Sequence, residues 1–275
     1  MVLLGGSSRQ SLATLRSSLD EALKGRSSQE SIALSADLFV ALAAVQSSVG
    51  LRRALTDPAR DHSAKAELVS ELFGTSVSSG ALAVLSTAAG LRWSNPSDIA
   101  QAIEQIAVES EVAAANGEGS IDRVEDELFS FSRLLVQENE LRQALNSPQT
   151  PVDNKVAIVE SLFTGKYAPS TVRLLSHVVE SLAGRSIESA LDAFSTAFQA
   201  RRNRTVATVR TTVELTPAQR ARLTETLTKQ SGQPVHINVE IDPTLIGGVA
   251  VRFGDEVIDG SVSTRLANAR RAVAL

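Results

Sequence analysis

Few side chains in this 275-residue sequence could carry out chemistry. The chain has no cysteine, and its three histidines stand far apart, at His62, His177 and His236. The lack of cysteine excludes disulfides, thiolate metal sites, iron–sulfur ligation and a cysteine nucleophile. A histidine metal site would need all three rings to converge from separate regions, whereas functional ligands usually come from local clusters. We therefore predict no metal site.

Three other patterns have simpler structural explanations. Gly247-Gly248 follows a predicted strand, but no Lys with Ser or Thr comes after it and no helix begins there, so phosphate binding is not indicated. The acidic run 125–127 stands at a predicted helix start, where the helix dipole favours negative charge. No serine stands in a nucleophile motif with a suitable base. We predict no catalytic residue, no cofactor and no enzyme activity.

The charge of the chain is small and unevenly placed. With 27 basic and 31 acidic side chains the net charge is −4, which argues against nucleic-acid binding, because such proteins normally present a basic face. Residues 204–275 carry +2 and residues 1–203 carry −6. Arg201, Arg202 and Arg204 lie at the junction, where they offset a helix dipole or dock to an acidic partner. Two parts of different character are expected.

Residues 1–203 have the periodicity of helices. Apolar side chains recur three or four residues apart, in stripes that Gly and Pro separate. Ser27 and Glu30 form a predicted capping box, and Pro96 and Pro151 stand at first helical positions, so helices should begin near residues 28, 96 and 151. No apolar run approaches the roughly 20 residues that span a bilayer. We expect no membrane-spanning segment and no signal peptide.

The helical part contains an internal repeat with a spacing of 90 residues. Residues 51–86 match residues 141–176 without a gap, with eleven of 36 positions identical. Two copies are too few and too long for a solenoid, so they indicate a duplicated helical subdomain. The segment Ser8–Lys24 has no evident counterpart ahead of the second copy, which makes this helix a candidate for a special role or one more wall of the bundle.

After residue 204 the apolar period changes to two. Alternating segments predict strands at 207–213, 235–241, 249–253 and 256–258, and a helix from Pro217 to Gln230. A last helix should follow Ser261. The order β-α-β-β-β-α, with no parallel crossover required, indicates a small α+β domain. The predicted fold is mostly α, with an N-terminal bundle at 1–118, a second helical repeat at 119–203 and the α+β domain at 204–275.

The C-terminal residues carry a family resemblance. A strand is followed by Asp-Pro, an apolar pair, Gly-Gly, a second strand, Gly-Asp and Asp-Gly-Ser, and this order resembles the C-terminal signature of the delta subunits of F-type ATP synthases, the family of the oligomycin-sensitivity-conferring protein. The signature residues are Asp242, Pro243, Gly247, Gly248, Gly254, Asp255, Asp259, Gly260 and Ser261. The stretch 213–223 and the repeat around 51–73 also resemble that family.

The resemblance implies a non-catalytic subunit of the peripheral stalk. In that family the helical domain grips the N-terminal helices of the alpha subunits on the catalytic head, and the C-terminal domain joins the stalk of subunit b. The work is mechanical, since the stator holds the head still against rotor torque during proton-driven ATP synthesis. Such a chain sits at the cytoplasmic face of the plasma membrane, is associated with the membrane only through the b stalk, and binds no nucleic acid.

The resemblance also implies a docking groove between the first and fifth helices of the helical domain. We predict its lining in the first copy, since only that copy has the leading helix. The second copy, 120–203, departs from the usual pattern and resembles an enlargement in actinobacterial members. The chain is expected to be a free subunit or the delta part of a mycobacterial b-delta fusion, and the alternative function is an unrelated helical adaptor. The groove residues are Leu12, Leu15, Leu19, Leu82 and Leu85.

Overall fold

The computed structural model describes residues 5–202, 205–231, 235–243, 245, 247–253 and 256–259. The chain divides into two compact units, Met1–Arg201 and Arg202–Leu275. Helices form the described part of the first unit, and the second contains a small sheet. The predicted fold class, mostly α with a small α+β C-terminal part, is confirmed. The finer division at residues 118 and 203 stays a prediction.

Eleven helices cover most of residues 5–202, and each is short enough to pack within one bundle. They are α1 Gly6–Leu23, α2 Ser28–Ser47, α3 Val49–Thr56, α4 His62–Phe73, α5 Ser79–Gly90, α6 Asp98–Gly117, α7 Ile121–Gln137, α8 Asn139–Asn146, α9 Val152–Phe163, α10 Pro169–Glu180 and α11 Ile187–Arg202.

The predicted helix starts are close to those observed. Ser27 and Glu30 form the expected capping box, in which the Glu30 N–H donates to Ser27 Oγ (3.3 Å) and the Ser27 N–H donates to Glu30 Oε2 (2.8 Å). Helix α6 begins at Asp98, two residues later than expected. Asn95 to Asp98 form a turn instead, because the Asp98 carboxylate accepts hydrogen bonds from the Asn95 N–H (3.2 Å) and Ser8 Oγ (2.7 Å).

The 90-residue repeat is visible in the helices themselves. Helices α3, α4 and α5 recur as α8, α9 and α10, each with both ends shifted by 90 residues. Equivalent side chains are buried in both copies, including Phe73 and Phe163, and Lys65 and Lys155. We refer to α1–α5 as the first copy and to α7–α11 as the second copy.

Helix α6 belongs to both copies. Fifteen of its twenty residues are buried, whereas only five of the eighteen in α1 are. It packs against α1, α2 and α5 of the first copy and against α7 and α10 of the second. A shift of 90 residues places α1 on residues 96–113, and all but the first two of these lie in α6. The second copy therefore has a leading helix after all, and this helix is α6.

Helix α2 is long and apolar enough to cross a membrane by length and composition alone. Its longest uninterrupted apolar run, residues 38–45, is much shorter than the roughly 20 residues that span a bilayer. Eight of its residues are buried, and it packs closely on α6. Its apolar character is accounted for by a place in the core of the bundle.

The second unit contains β1 Thr205–Thr211, α12 Pro217–Ser231, β2 Val235–Ile241, β3 Val249–Phe253 and β4 Glu256–Asp259, in the sheet order β2-β1-β3-β4. Strands β1 and β2 are parallel, and β3 is antiparallel to both of its neighbours. The expectation that no parallel crossover is required was wrong, since α12 is a long enough connection to make β1 and β2 parallel. The Gly254-Asp255 turn and the last helix lie outside the described residues.

The core of the second unit lies between the sheet and α12. Val209, Val235, Ile237 and Val251 on the strands are buried with Leu227 of the helix. Thr216 and Gln219 form the capping box that begins α12, because the Gln219 N–H donates to Thr216 Oγ1 (3.3 Å) and the Thr216 N–H donates to Gln219 Oε1 (2.9 Å). This helix therefore starts where the sequence predicts.

Candidate functional site

Helices α1 and α5 form an antiparallel pair at one side of the first unit. Serines of α1 tie it to α5 and to the segment after it: Ser18 Oγ lies 3.2 Å from Thr87 Oγ1, and Ser11 Oγ donates to the Arg92 carbonyl (2.6 Å). Ser7 Oγ lies 2.7 Å from Ser94 Oγ. The pair is thus joined by small hydroxyl side chains, which allow two helix backbones to approach closely.

The five leucines predicted to line a groove lie at the α1/α5 side of the core. Leu12, Leu15, Leu19 and Leu85 are buried, and Leu82 is partly buried against the same core. They attach the two helices to the core by apolar packing. The groove assignment itself stays a prediction.

Smaller side chains reach the surface of the α1/α5 pair. Ala13, Thr14 and Ser17 of α1 and Ala83 of α5 are exposed, and Thr87 is half-buried. Sequence reasoning missed these residues, because it selected the apolar positions of each helix. Only the antiparallel pairing of α1 with α5 shows that the small residues of both helices share one surface. We call these five residues the α1/α5 face.

Three buried glutamates lie along α6, and each is paired with an arginine from another element. Glu109 accepts from Arg16 Nε of α1 (2.7 Å). Glu111 and Glu104 bind the second copy, through Arg173 of α10 (2.6 Å) and Arg185 of the α10–α11 connection (2.5 Å). A buried ion pair costs much to break, because one charge would be left uncompensated. These pairs fix α1 and the second copy to α6.

Burial changes the ionisation of these carboxyls. Desolvation raises the pKa of Glu109 and of Glu111, and the neighbouring guanidinium groups of Arg16 and Arg173 act in the opposite direction. Raised carboxyl pKa values also occur at catalytic sites. Here each carboxylate is enclosed by packed helices and held by an arginine, so that its role is structural.

The connection between α10 and α11 has an unusual backbone. Ala183 has φ +47°, and Gly184 follows with φ +83°. A positive φ is strained for alanine. This turn directs Arg185 back to the Ser181 carbonyl (2.8 Å) and to Glu104. The strain is therefore associated with the link between α6 and the second copy.

The two histidines of the first unit lie on different helices. His62 is the first residue of α4, and His177 of α10 stacks on Phe39 with its Nδ1 2.9 Å from Glu180 Oε2. The side chain of His236 on β2 lies outside what is described. Within the described residues, no group of three or more His, Cys, Asp or Glu side chains could hold a metal ion.

The signature segment in the second unit forms the connection from β2 to β3. Asp242 is ion-paired with Arg210 of β1, and its N–H donates to the Thr211 carbonyl (2.7 Å). Gly247 and Gly248 have φ angles of +148° and +83°. Glycine adopts these positive φ angles without steric cost, which accounts for both glycines in this connection. Asp259 ends β4 and Pro243 is exposed, while Gly254, Asp255, Gly260 and Ser261 lie outside the described residues.

Comparison with known proteins identifies the relatives of this chain. The family model "ATP synthase delta (OSCP) subunit" matches residues 100–273. The chain is 41% identical to "ATP synthase subunit delta" of Parafrankia sp., over 98% of this chain and 99% of the relative. It is 40% identical to the protein of the same description from Streptomyces coelicolor, with 98% of each chain covered.

The chain belongs to the ATP synthase delta (OSCP) subunit family. As a member it is a non-catalytic subunit of the peripheral stalk of an F-type ATP synthase, associated with the membrane through that complex. The alternative of an unrelated helical adaptor is thereby excluded. A chain of the Toxoplasma gondii mitochondrial ATP synthase hexamer also matches, with 20% identity, a TM-score of 0.35 and coverage of 61% of this chain and 97% of that chain. A similarity this low adds nothing to the fold.

The family match begins within α6. It runs from α6 through α11 into the second unit and leaves residues 1–99 unmatched. The prediction that residues 120–203 depart from the family pattern is therefore wrong. The second copy, with α6 as its first helix, is the part that the OSCP family model describes. The additional helices are α1–α5.

Proposed function

We propose that the first unit docks an N-terminal helix of an alpha subunit on the α1/α5 face, while the second unit joins the stalk of subunit b. The chain then connects the catalytic head to the membrane-anchored stalk and carries the torque that the rotor exerts on the head. Membership of the delta subunit family implies both partners. The assignment of one partner to each unit is part of the proposal.

The openness of the α1/α5 face supports this assignment. Ala13, Thr14 and Ser17 form an exposed stripe on α1, and Ala83 extends it on α5. Small side chains allow the backbone of an incoming helix to approach closely, as they do between packed helices elsewhere. The buried leucines beneath keep the two helices at a fixed separation, so the surface is formed before a partner arrives.

Resistance to load is supported by the way in which the first unit is cross-linked. Arginines from α1, α10 and the α10–α11 connection are bound to glutamates of one central helix. Arg201 at the end of α11 is ion-paired with Asp20 of α1. A force applied to α11 would thus pass to α1 and α6 by direct polar contacts. We place the complex at the cytoplasmic face of the plasma membrane, as the family resemblance implies.

A binding experiment tests the proposal. The full chain is mixed at low salt with a peptide of the alpha N-terminus from the same complex, and the Ser17→Arg variant serves as the test of the face. We expect the parent chain to bind and Ser17→Arg to lose at least tenfold in affinity, because a long charged side chain would stand in the contact. Glu160→Arg, on an exposed position of α9, is the matched control and should bind normally. Equal binding by all three proteins would contradict the assignment.

A further inference from the structure

The first unit contains two versions of the same helix pair. The repeat relates α1/α5 to α6/α10, with a spacing of 90 residues. We infer that only the α1/α5 pair docks a helix from another chain, and that the α6/α10 pair is permanently occupied by α2 of the same chain. The identity of the external helix rests on the proposed function, whereas the occupation by α2 does not.

Helices α2 and α6 pack with their backbones close together. Ser35 Oγ of α2 donates to the Ala107 carbonyl of α6 (2.8 Å), and Ser110 Oγ of α6 donates to the Ser31 carbonyl of α2 (2.9 Å). All four residues are buried. A serine can reach the backbone of a neighbouring helix only when the two backbones approach closely, so α2 covers this side of α6 along its middle.

Helix α2 also reaches α10, the other member of the pair. The ring of Phe39 stacks on His177 with centroids 3.9 Å apart, and Gln46 Nε2 lies 3.5 Å from the Ser181 carbonyl. His177 is the repeat equivalent of Thr87, the α5 residue whose hydroxyl meets Ser18 in the α1/α5 pair. Helix α2 thus contacts both members of the pair, as a docked helix would.

The equivalent positions on α1 are exposed rather than buried under another helix. The two α6 residues that meet α2, Ala107 and Ser110, correspond by the repeat to Ser17 and Asp20. Both α1 residues are exposed. Asp20 is ion-paired with Arg201 of α11, whereas Ser17 is left exposed beside it. This side of the pair is therefore covered by a helix in one copy and largely exposed in the other, and the chain offers one docking face rather than two.

The two helix pairs also differ in the contacts that hold their helices together. The α6/α10 pair is fixed by the buried ion pair of Glu111 with Arg173, and Arg185 adds a second link to Glu104. At the equivalents of Glu111 and Arg173 the α1/α5 pair has Glu21 and Ala83, which cannot form an ion pair. Its helices meet instead through the hydroxyl contact of Ser18 with Thr87. Opening the α6/α10 pair would leave buried charges without their partners, which is costly. The α6/α10 pair is therefore an internal joint.

The internal occupant indicates what kind of helix fits the open face. Helix α2 is 20 residues long, apolar, and presents Ser31 and Ser35 where it crosses α6. A partner of the α1/α5 face should likewise be an apolar helix with serine or alanine one turn apart at the crossing. Small exposed residues on α1, such as Ala13 and Ser17, complement such a helix.

Cysteine labelling tests the occupation by α2, since the chain has no cysteine of its own. Ser17→Cys and Ser110→Cys are nearly isosteric changes on the two equivalent surfaces. We expect a maleimide to label Ser17→Cys at the rate of an exposed thiol and Ser110→Cys on the order of 100-fold more slowly, because the latter reacts only after local opening. Ser35→Cys, on α2, should be as slow as Ser110→Cys. Fast labelling of both buried cysteines, in proteins that melt like the parent, would overturn the inference.

The same variants decide how many helices the chain docks. A saturating peptide of the alpha N-terminus should slow the labelling of Ser17→Cys at least tenfold and leave Ser110→Cys unchanged, and calorimetric titration should end at one peptide per chain. Binding of two equivalent peptides per chain would overturn the inference. So would a peptide that slows the labelling of Ser110→Cys and leaves that of Ser17→Cys unchanged. If no peptide binds, the proposed function fails on its own, and the labelling rates without peptide still decide whether α2 occupies the α6/α10 pair.

Discussion

Phe39 and His177 stack face to face, with ring centroids 3.9 Å apart and ring planes 13° from parallel. The two residues belong to different copies of the repeat, on α2 and α10. Phe39 also packs on Phe194 of α11, with ring centroids 5.9 Å apart. The aromatic contact therefore joins three helices from both copies, and the copies share one core.

Replacement of Phe39 by alanine should destabilise the whole first unit. The side chain is 7% exposed, and Phe→Ala changes in cores typically cost about 3–5 kcal/mol. Urea unfolding followed by circular dichroism measures the loss. Phe39→Leu keeps most of the volume and should lose clearly less. A loss below about 1 kcal/mol for Phe39→Ala would mean that the two copies do not depend on this contact.

The leucines beneath the α1/α5 face should prove to be stability residues. Leu15 is buried in the core, so Leu15→Ala should lower the free energy of unfolding by about 2–5 kcal/mol. Ser17→Ala, two residues away on the exposed side, should change it by less than about 0.5 kcal/mol. Thermal melting compares the two variants. Similar melting of Leu15→Ala and the parent would contradict the placement of α1.

The buried Glu111 should impose a pH dependence on stability. Burial raises the pKa of its carboxyl above the ordinary value of 4.5, so the folded state binds this proton more readily than the unfolded state. The contribution of Glu111 to the free energy of unfolding therefore falls as the pH rises from about 4.5 through the raised pKa. Glu111→Gln removes this contribution. The stability of the variant relative to the parent should increase between about pH 4.5 and pH 7.5, and a constant difference would refute the assignment.

Asp37 and Glu127 hold the same place in the two copies. Asp37 accepts from the Ser78 N–H at the start of α5 (2.7 Å), and Glu127 accepts from the Ala168 N–H at the start of α10 (2.8 Å). Asp37→Ala should cost about 0.5–2 kcal/mol, the usual cost of a lost helix cap. Glu127→Ala should cost more, since Glu127 also accepts from Thr171 Oγ1 (2.6 Å) and pairs with Arg123. Chemical denaturation measures the stability loss of each variant. A larger loss for Asp37→Ala than for Glu127→Ala would contradict these roles.

Gly248 should be sensitive to any larger residue. Its φ is +83°, a conformation that a β-branched side chain disfavours by about 1–3 kcal/mol. Gly248→Val should therefore destabilise the second unit by that amount. Asn adopts positive φ more easily, so Gly248→Asn should lose less. If both variants had the melting temperature of the parent, the turn from β2 to β3 would have another conformation.

Much of the helical fold could be predicted from local signals. The capping boxes at Ser27 and Thr216 and the 90-residue spacing are short-range patterns, and the structure has helices where these signals place them. The start of α6 was misplaced because the turn before it depends on Ser8, which is 90 residues away. The parallel pairing of β1 with β2 was likewise a non-local property.

The candidate site was harder to predict than the fold. Sequence periodicity identifies which residues of α1 are apolar, and the structure buries Leu12, Leu15 and Leu19. Whether a helix face is free or covered depends on the packing of other helices. The double role of α6 illustrates this, since its glutamates look solvent-facing in sequence but meet Arg16, Arg173 and Arg185 in the core.

Site-directed cross-linking in the assembled complex tests the central claim most directly. The Ser17→Cys chain carries a short photoreactive group on α1 and is rebuilt into ATP synthase depleted of its own delta subunit. The account predicts that light joins this chain to an alpha subunit through its N-terminal segment, whereas a chain labelled at Glu160→Cys on α9 gives no such product. Cross-linking to subunit b alone, or to alpha from Glu160→Cys and not from Ser17→Cys, would contradict the account.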